Sequence, residues 1–324
     1  MAFPAVTAAV RKIFTDALRV SLDLYKVMIP IIIAVKILTE FELTGYLALP
    51  LEPFMHLAGL PAEMGLVWAT SIVVNIYSGI IVYAAIFPTL EPMTVAQVSV
   101  LSTMILVAHN MFVECKIAQR CGLSFTVQFL LRMAAALIFG WILHMIFGLT
   151  GTLQQPAQLL WQPEQAPAGL AAWAAGQARN LFYLFWVVLG LMTVMRLLDV
   201  LGITRRLNTL LKPVLRLVGI GQSAATITVV GLSMGIAYGG GLIIHEARSG
   251  RVPPADVFSS VTLMGFSHAL IEDTLLMMLI GAHISATLWG RLILSLLAVA
   301  LLARLYARFV PSAPQTGAGN PQKA

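Results

Sequence analysis

Ser267-His268-Ala269-Leu270-Ile271-Glu272-Asp273 sits in the middle of an apolar segment, residues 256–280. Ionisable side chains there are expensive if the segment crosses a bilayer. An acid or base near mid-membrane raises the insertion free energy by about 2.5–3.5 kcal/mol. The chain carries the feature twice. At an offset of 159 residues, Ala108-His109-Asn110-Met111-Phe112-Val113-Glu114 places His109 on His268 and Glu114 on Asp273. An offset longer by one places Lys36 on Arg196, Pro53 on Pro213, Gly59 on Gly219, Asn75 on Gly235 and Gly79 on Gly239. The shorter offset returns with Arg132 on Arg291. So constant a spacing over so much of the chain marks an internal repeat.

Composition agrees with membrane residence. Of the 324 residues, 59% are hydrophobic and 10% charged, against about 25% charged in a soluble domain. The net charge of +6 is therefore read by location, because basic residues mark the cytoplasmic ends of spans. No basic patch is interleaved with aromatics, which excludes nucleic acid as a partner. The only cysteines, Cys115 and Cys121, suggest neither a disulfide framework nor a zinc site. The sequence has no phosphate-binding loop, nucleophile elbow or His-Glu-x-x-His pattern. The expectation is a protein that is not an enzyme and has no cofactor.

Six segments are long enough to cross, at about 20 residues each: 23–43, 96–116, 125–148, 181–201, 256–280 and 284–305. Two more apolar stretches, 64–88 and 223–246, are interrupted by Asn75-Ile-Tyr-Ser-Gly79 and Gly235-Ile-Ala-Tyr-Gly-Gly-Gly241. If these two return to the side they entered, Arg11, Lys12, Arg19, Lys116, Arg120, Arg205, Arg206, Lys212, Arg216, Arg248, Arg251, Arg304, Arg308 and Lys323 share one side. The other side keeps Arg179 as its only basic residue. That asymmetry selects re-entrant hairpins over broken crossings.

The reading is an all-α polytopic membrane protein of two inverted repeats. Each has three transmembrane helices, a re-entrant helical hairpin and an interfacial helix (46–59 and 206–219). The parts are a cytoplasmic interfacial helix (1–22), a first repeat (23–150), an external linker (151–178), a second, inverted repeat (179–308) and a disordered cytoplasmic tail (309–324). Both termini are expected in the cytoplasm, with the chain in a bacterial inner membrane. Inverted repeats with broken helices at the midplane are the plan of many secondary transporters.

Candidate site residues follow from this plan. His268 and Glu272, four apart, share a face on a continuous helix, as do Asn110 and Glu114. His109 and Glu114, five apart, diverge by about 140° on such a helix. Ser267, His268 and Glu272 with His109, Asn110 and Glu114 form a polar face for a hydrophilic solute. Arg132 can neutralise Glu114, and Arg291 can neutralise Asp273, as structural ion pairs that hold helices together. Asn75, Tyr77, Ser78 and Gly79, with Tyr238, Gly239 and Gly240, are placed at the hairpin tips, where unwound backbone and small residues admit a ligand. Tight hairpin packing is the other reading of those tips. His109, Glu114, His268, Glu272 and Asp273 also offer imidazole and carboxylate ligands for a divalent metal.

Val74-Asn-Ile-Tyr-Ser-Gly79 and Met234-Gly-Ile-Ala-Tyr-Gly-Gly-Gly241, each followed by a His-and-acid span, resemble the nucleoside-recognition Gate domain proteins. That family includes spore maturation proteins A and B, and its domain recurs in nucleoside transporters and ferrous-iron transporter B. The resemblance implies paired Gate repeats and a transport role. The expected function is an inner-membrane permease for a small polar solute, with a nucleoside named first. Divalent-metal transport, or a non-transporting subunit of a larger complex, is the alternative. The partners are then the solute and the lipid bilayer, with a homo-oligomer or a membrane partner subunit left open.

Overall fold

The structure, a computed structural model, describes residues 3–41, 46, 49–87, 91–160, 169–248 and 252–309. Among them the elements are helical, with one isolated antiparallel bridge between Thr94 and Pro156. The expected tail from 310 and the middle of the linker, 161–168, lie outside the described residues.

Helix α1 runs Phe3–Glu40, 38 residues, about 57 Å at 1.5 Å per residue. A hydrocarbon core is about 30 Å thick. The surface helix and the first span expected separately thus form one uninterrupted rod. Its charges near the span pair along the helix, Lys26 with Asp23 at 2.7 Å and Lys36 with Glu40. A short helix, α2 (Glu52–Leu57), follows, with Pro53 in its first turn where no amide donor is lost.

The first interrupted stretch folds as α3 (Met64–Val73) and α4 (Ile76–Ile86). Asn75 ends the interruption as the N-cap of α4, its Oδ1 accepting from Ser78 N at 2.9 Å. The two limbs pack side by side. A Cβ added at Gly79 would overlap the Ser71 hydroxyl and lie 3.2 Å from the Val67 carbonyl oxygen. Residues equidistant from Asn75 therefore face each other, as in a hairpin.

Helix α5 (Val95–Val107) opens with a Thr94–Gln97 capping box, and α6 (Met111–Arg120) continues it after a break. Helix α7 (Phe125–Thr150) is capped by Ser124 and returns alongside α5. Residues 151–160 then run across the end of α5, with Ala96 N bonded to Leu153 O at 2.8 Å and Ala157 N to Met93 O at 2.8 Å.

The second part of the chain repeats the series. It contains α8 (Leu170–Val200), α9 (Ile203–Leu217), a close pair α10 (Gln222–Met234) and α11 (Ile236–Arg248), then α12 (Pro254–Ser267) and α13 (Leu270–Met278). A π-helical turn (Ser285–Gly290) leads into α14 (Arg291–Phe309). Residues 170–178, expected in the linker, are the first turns of α8.

Among the described residues, four helical stretches are long and apolar enough to cross a membrane: Val95–Arg120 taken across its break, Phe125–Thr150, Leu170–Val200 and Ser285–Arg308. Six were expected. The 23–43 segment, which carries Asp23, Lys26, Lys36 and Glu40, and 256–280, which carries Asp256, His268, Glu272 and Asp273, are not among the four.

Burial separates centre from edge. The apolar window of Val95–Arg120 is 83% buried, that of α8 only 11%. Helices α5 and α12 pack against each other at the centre. Helices α1 and α8 pair at the edge through a separate apolar cluster of Ala17, Met28, Ile32, Leu184 and Val188. Tyr25 adds a hydrogen bond from its hydroxyl to Leu181 O at 2.5 Å.

Candidate functional site

Both central spans are broken at the same place in the repeat. Helix α5 stops at Val107 and α6 starts at Met111, while α12 stops at Ser267 and α13 starts at Leu270. Asn110 (φ 47°) and Ala269 (φ 44°) turn the chain through left-handed backbone. Each occupies the same repeat position, and each is a residue type with a Cβ, for which this conformation is uncommon. Helix α5 is 13 residues and α12 is 14, so each break lies about 20 Å from the start of its helix, the first of them inside the apolar stretch Val95–Arg120.

The breaks correct two expectations. His268 and Glu272 do not share a helix face, because the turn at Ala269 puts them on different segments. His109 and Glu114 do not diverge. His109 lies before the left-handed turn and Glu114 in the first turn of α6, and His109 Nε2 comes 3.4 Å from Glu114 Oε1. Both expectations assumed one continuous helix.

A break at this depth leaves the last carbonyls of one helix segment without amide partners. The two buried arginines supply donors. Arg132 Nε donates to Val107 O at 2.9 Å, Nη2 to His109 O at 3.2 Å and Nη1 to Glu114 Oε2 at 2.5 Å. Arg291 repeats the pattern, with Nε to Phe266 O at 2.8 Å, Nη2 to His268 O at 3.0 Å and Nη1 to Asp273 Oδ2 at 3.4 Å. Arg291 Nη2 also reaches Leu106 O at 3.2 Å, tying the second break to the first. Each guanidinium thus meets the carbonyl end of one segment, and each carboxylate the amide end of the next. Both placements suit the helix dipoles.

The two histidines meet where the breaks cross. His109 Nε2 and His268 Nε2 are 3.2 Å apart, and Glu114 Oε1 is 3.4 Å from both. His109 Nδ1 lies 3.1 Å from Ile105 O, and His268 Nδ1 lies 2.8 Å from Met264 O. A carbonyl oxygen only accepts, so both Nδ1 atoms carry the proton. In neutral imidazoles the two Nε2 lone pairs then point at each other and at a carboxylate. One carboxylate oxygen of Asp273 lies within 4.8 Å of a ring nitrogen of each histidine.

The other candidates are distributed around this centre. Ser267 is buried and donates to Ser295 Oγ at 2.8 Å, a tie between α12 and α14. Asn110 N bonds Ser71 O at 2.9 Å, so the first hairpin tip touches the first break. Gly235 (φ 94°) at the second tip would meet Ala269 Cβ at 4.0 Å. Tyr77, partly buried, is within electrostatic range of Glu272 and Asp273. Ser78 and Gly79 are buried in hairpin packing. Tyr238, Gly239 and Gly240 fall in the first turns of α11, and their side-chain surroundings are outside the described residues.

Sequence reasoning paired Arg132 and Arg291 with acids but missed their carbonyl partners. The signal was present: in each repeat the arginine follows its acid by 18 residues. It also missed Gln128, whose Nε2 bonds Thr262 Oγ1 at 3.0 Å, and the Thr228–Ser260 contact at 2.8 Å. These hydroxyl and amide pairs join helices where lipid offers no competing water.

A curated relative, the uncharacterized membrane protein YvoD of Bacillus subtilis (strain 168), is 26% identical over 291 residues, covering 89% of this chain and 92% of the relative. The likeness spans both broken helices. The chain is a multi-pass membrane protein. No family model matches it. No solved structure matches it either.

Proposed function

We propose that this chain is a transporter of a small polar solute across the bacterial inner membrane, with its site where the two helix breaks cross. One observation carries the reading: His109, His268, Glu114 and Asp273 converge at the two helix breaks, on backbone bonded by Arg132 and Arg291. Intramembrane ionisable groups are retained where they serve a pathway. Broken helices are tolerated where they line one. The 159-residue offset between equivalent side chains supports two inverted Gate-like repeats and an alternating-access cycle in which one half moves against the other. The role is transport, not catalysis.

The geometry favours a cation over a nucleoside at the crossing. Three acceptor atoms within 3.4 Å of one another enclose the space of one ion. Asn75, expected to meet the solute at the first hairpin tip, has its Oδ1 engaged in capping α4. The test is uptake by proteoliposomes of the purified chain. Divalent cations and a labelled nucleoside are offered separately, at inside pH values on either side of neutrality. Cation uptake that disappears in His268→Ala is the expected result. Nucleoside uptake without cation uptake would move the site to the hairpin tips, and no uptake of either would sink the transport reading.

A further inference from the structure

We infer that His109, His268 and Glu114 are three ligands of one divalent first-row transition metal ion, the inference resting on the same crossing that the transport reading uses. The distances carry it. The triangle Nε2–Nε2–Oε1 has edges of 3.2, 3.4 and 3.4 Å. A tetrahedral ion with bonds of about 2.0–2.1 Å to nitrogen and oxygen has ligand–ligand edges of about 3.3 Å. The three atoms therefore form one face of such a tetrahedron. A carboxylate oxygen of Asp273, within 4.8 Å of a ring nitrogen of both histidines, is the nearby candidate for a fourth ligand.

The surroundings are those of a ligand set. Each imidazole is fixed by an Nδ1–H bond to a carbonyl, which leaves Nε2 as the donor atom for a metal. Arg132 holds Glu114 Oε2 and leaves Oε1 for the ion. Two imidazoles and a carboxylate suit zinc, iron(II), cobalt(II) or manganese(II) rather than calcium, which takes oxygen ligands, or copper(I), which takes thiolates. Glu114 faces Arg132 and Asp273 faces Arg291 around the site.

A proton held between Glu114 and one imidazole is a competing occupant, and the carboxylate distances speak against it. A charge-assisted N–H to carboxylate bond draws its atoms to about 2.7–2.9 Å. Here Glu114 Oε1 stays 3.4 Å from both nitrogens, equidistant as ligands around one ion are.

Cobalt(II) is the probe. The full chain, purified in detergent and stripped with a chelator, is titrated with Co2+ and followed by visible absorption. The expected result is one ion per chain with the intense bands of a tetrahedral site, removed by zinc. His109→Ala and His268→Ala should each weaken binding by more than the roughly 10–100-fold typical of outer-shell changes. His144→Ala should leave the titration unchanged. If the histidine variants fail to fold, X-ray absorption on the cobalt-loaded wild type decides, with two imidazoles expected in the first shell. Absence of tetrahedral bands, a first shell without imidazole, or unchanged affinity in a folded His109→Ala protein would overturn the site. Cobalt binding without cation uptake in proteoliposomes would leave the site standing and remove the transport reading instead.

Discussion

Arg132→Met tests whether the break in the central helix depends on a guanidinium. Arg132 is 2% exposed and donates to Glu114 Oε2, Val107 O and His109 O. Methionine keeps much of the side-chain bulk but none of the donors. Removing one partner of a buried pair costs about 3–5 kcal/mol, because the other charge is left uncompensated. Each orphaned carbonyl adds about 1–3 kcal/mol before relaxation. Relaxation makes these overlap, so a loss on the order of 5 kcal/mol is expected. The exposed Lys26–Asp23 pair, at 74% and 64% side-chain exposure, sets the contrast, since such pairs contribute about 0–1 kcal/mol. Lys26→Met should therefore change little. The assay is reversible unfolding in mixed micelles, read by tryptophan fluorescence. Glu114→Gln in the Arg132→Met background should recover about 2–3 kcal/mol, the part due to the bare carboxylate, and leave the carbonyl part lost. An Arg132→Met protein within about 1 kcal/mol of wild type, or no coupling to Glu114→Gln, would refute the staple.

Gly79→Ala should destabilise by about 1–3 kcal/mol through overpacking, and Ser71→Ala should relieve part of it by removing the overlapped hydroxyl; a micelle melting series on the single and double variants reads this. Asn75→Ala removes the cap on α4 and should cost about 1 kcal/mol, seen in the same series and as faster amide exchange at Ser78. Burial pushes the Cys121 thiol up to about 11. A raised thiol value keeps the neutral, unreactive form at every pH below it, so maleimide should label Cys121 slowly between pH 7 and 9 and readily after denaturation in SDS.

Much of this was legible along the chain. Hydropathy alone gave a helical, multi-pass protein, because 20-residue apolar runs have few other uses. Repetition picked out the pairs His109 with His268, Glu114 with Asp273 and Arg132 with Arg291, and Gly79 marked a close approach. What periodicity could not reveal was the pair of breaks. Ala108-His109-Asn110 and His268-Ala269 contain no proline or glycine, the usual signals of interruption. Their left-handed turns are held by arginines 25 residues further on that donate to the orphaned carbonyls, a dependence with no local trace.

The same limit applies to the site. The sequence by itself determined which costly groups the membrane must hold, since each is a matter of residue type and depth. Only the tertiary structure decided that His109 and His268, 159 residues apart, face each other. That meeting depends on two broken helices crossing at their breaks, and on carbonyls that fix both rings with their lone pairs inward. Ser267-His268-Ala269-Leu270-Ile271-Glu272-Asp273 is therefore not one polar face of a helix. It is a helix end, a turn and a new helix start, and its histidine belongs with the other half of the molecule.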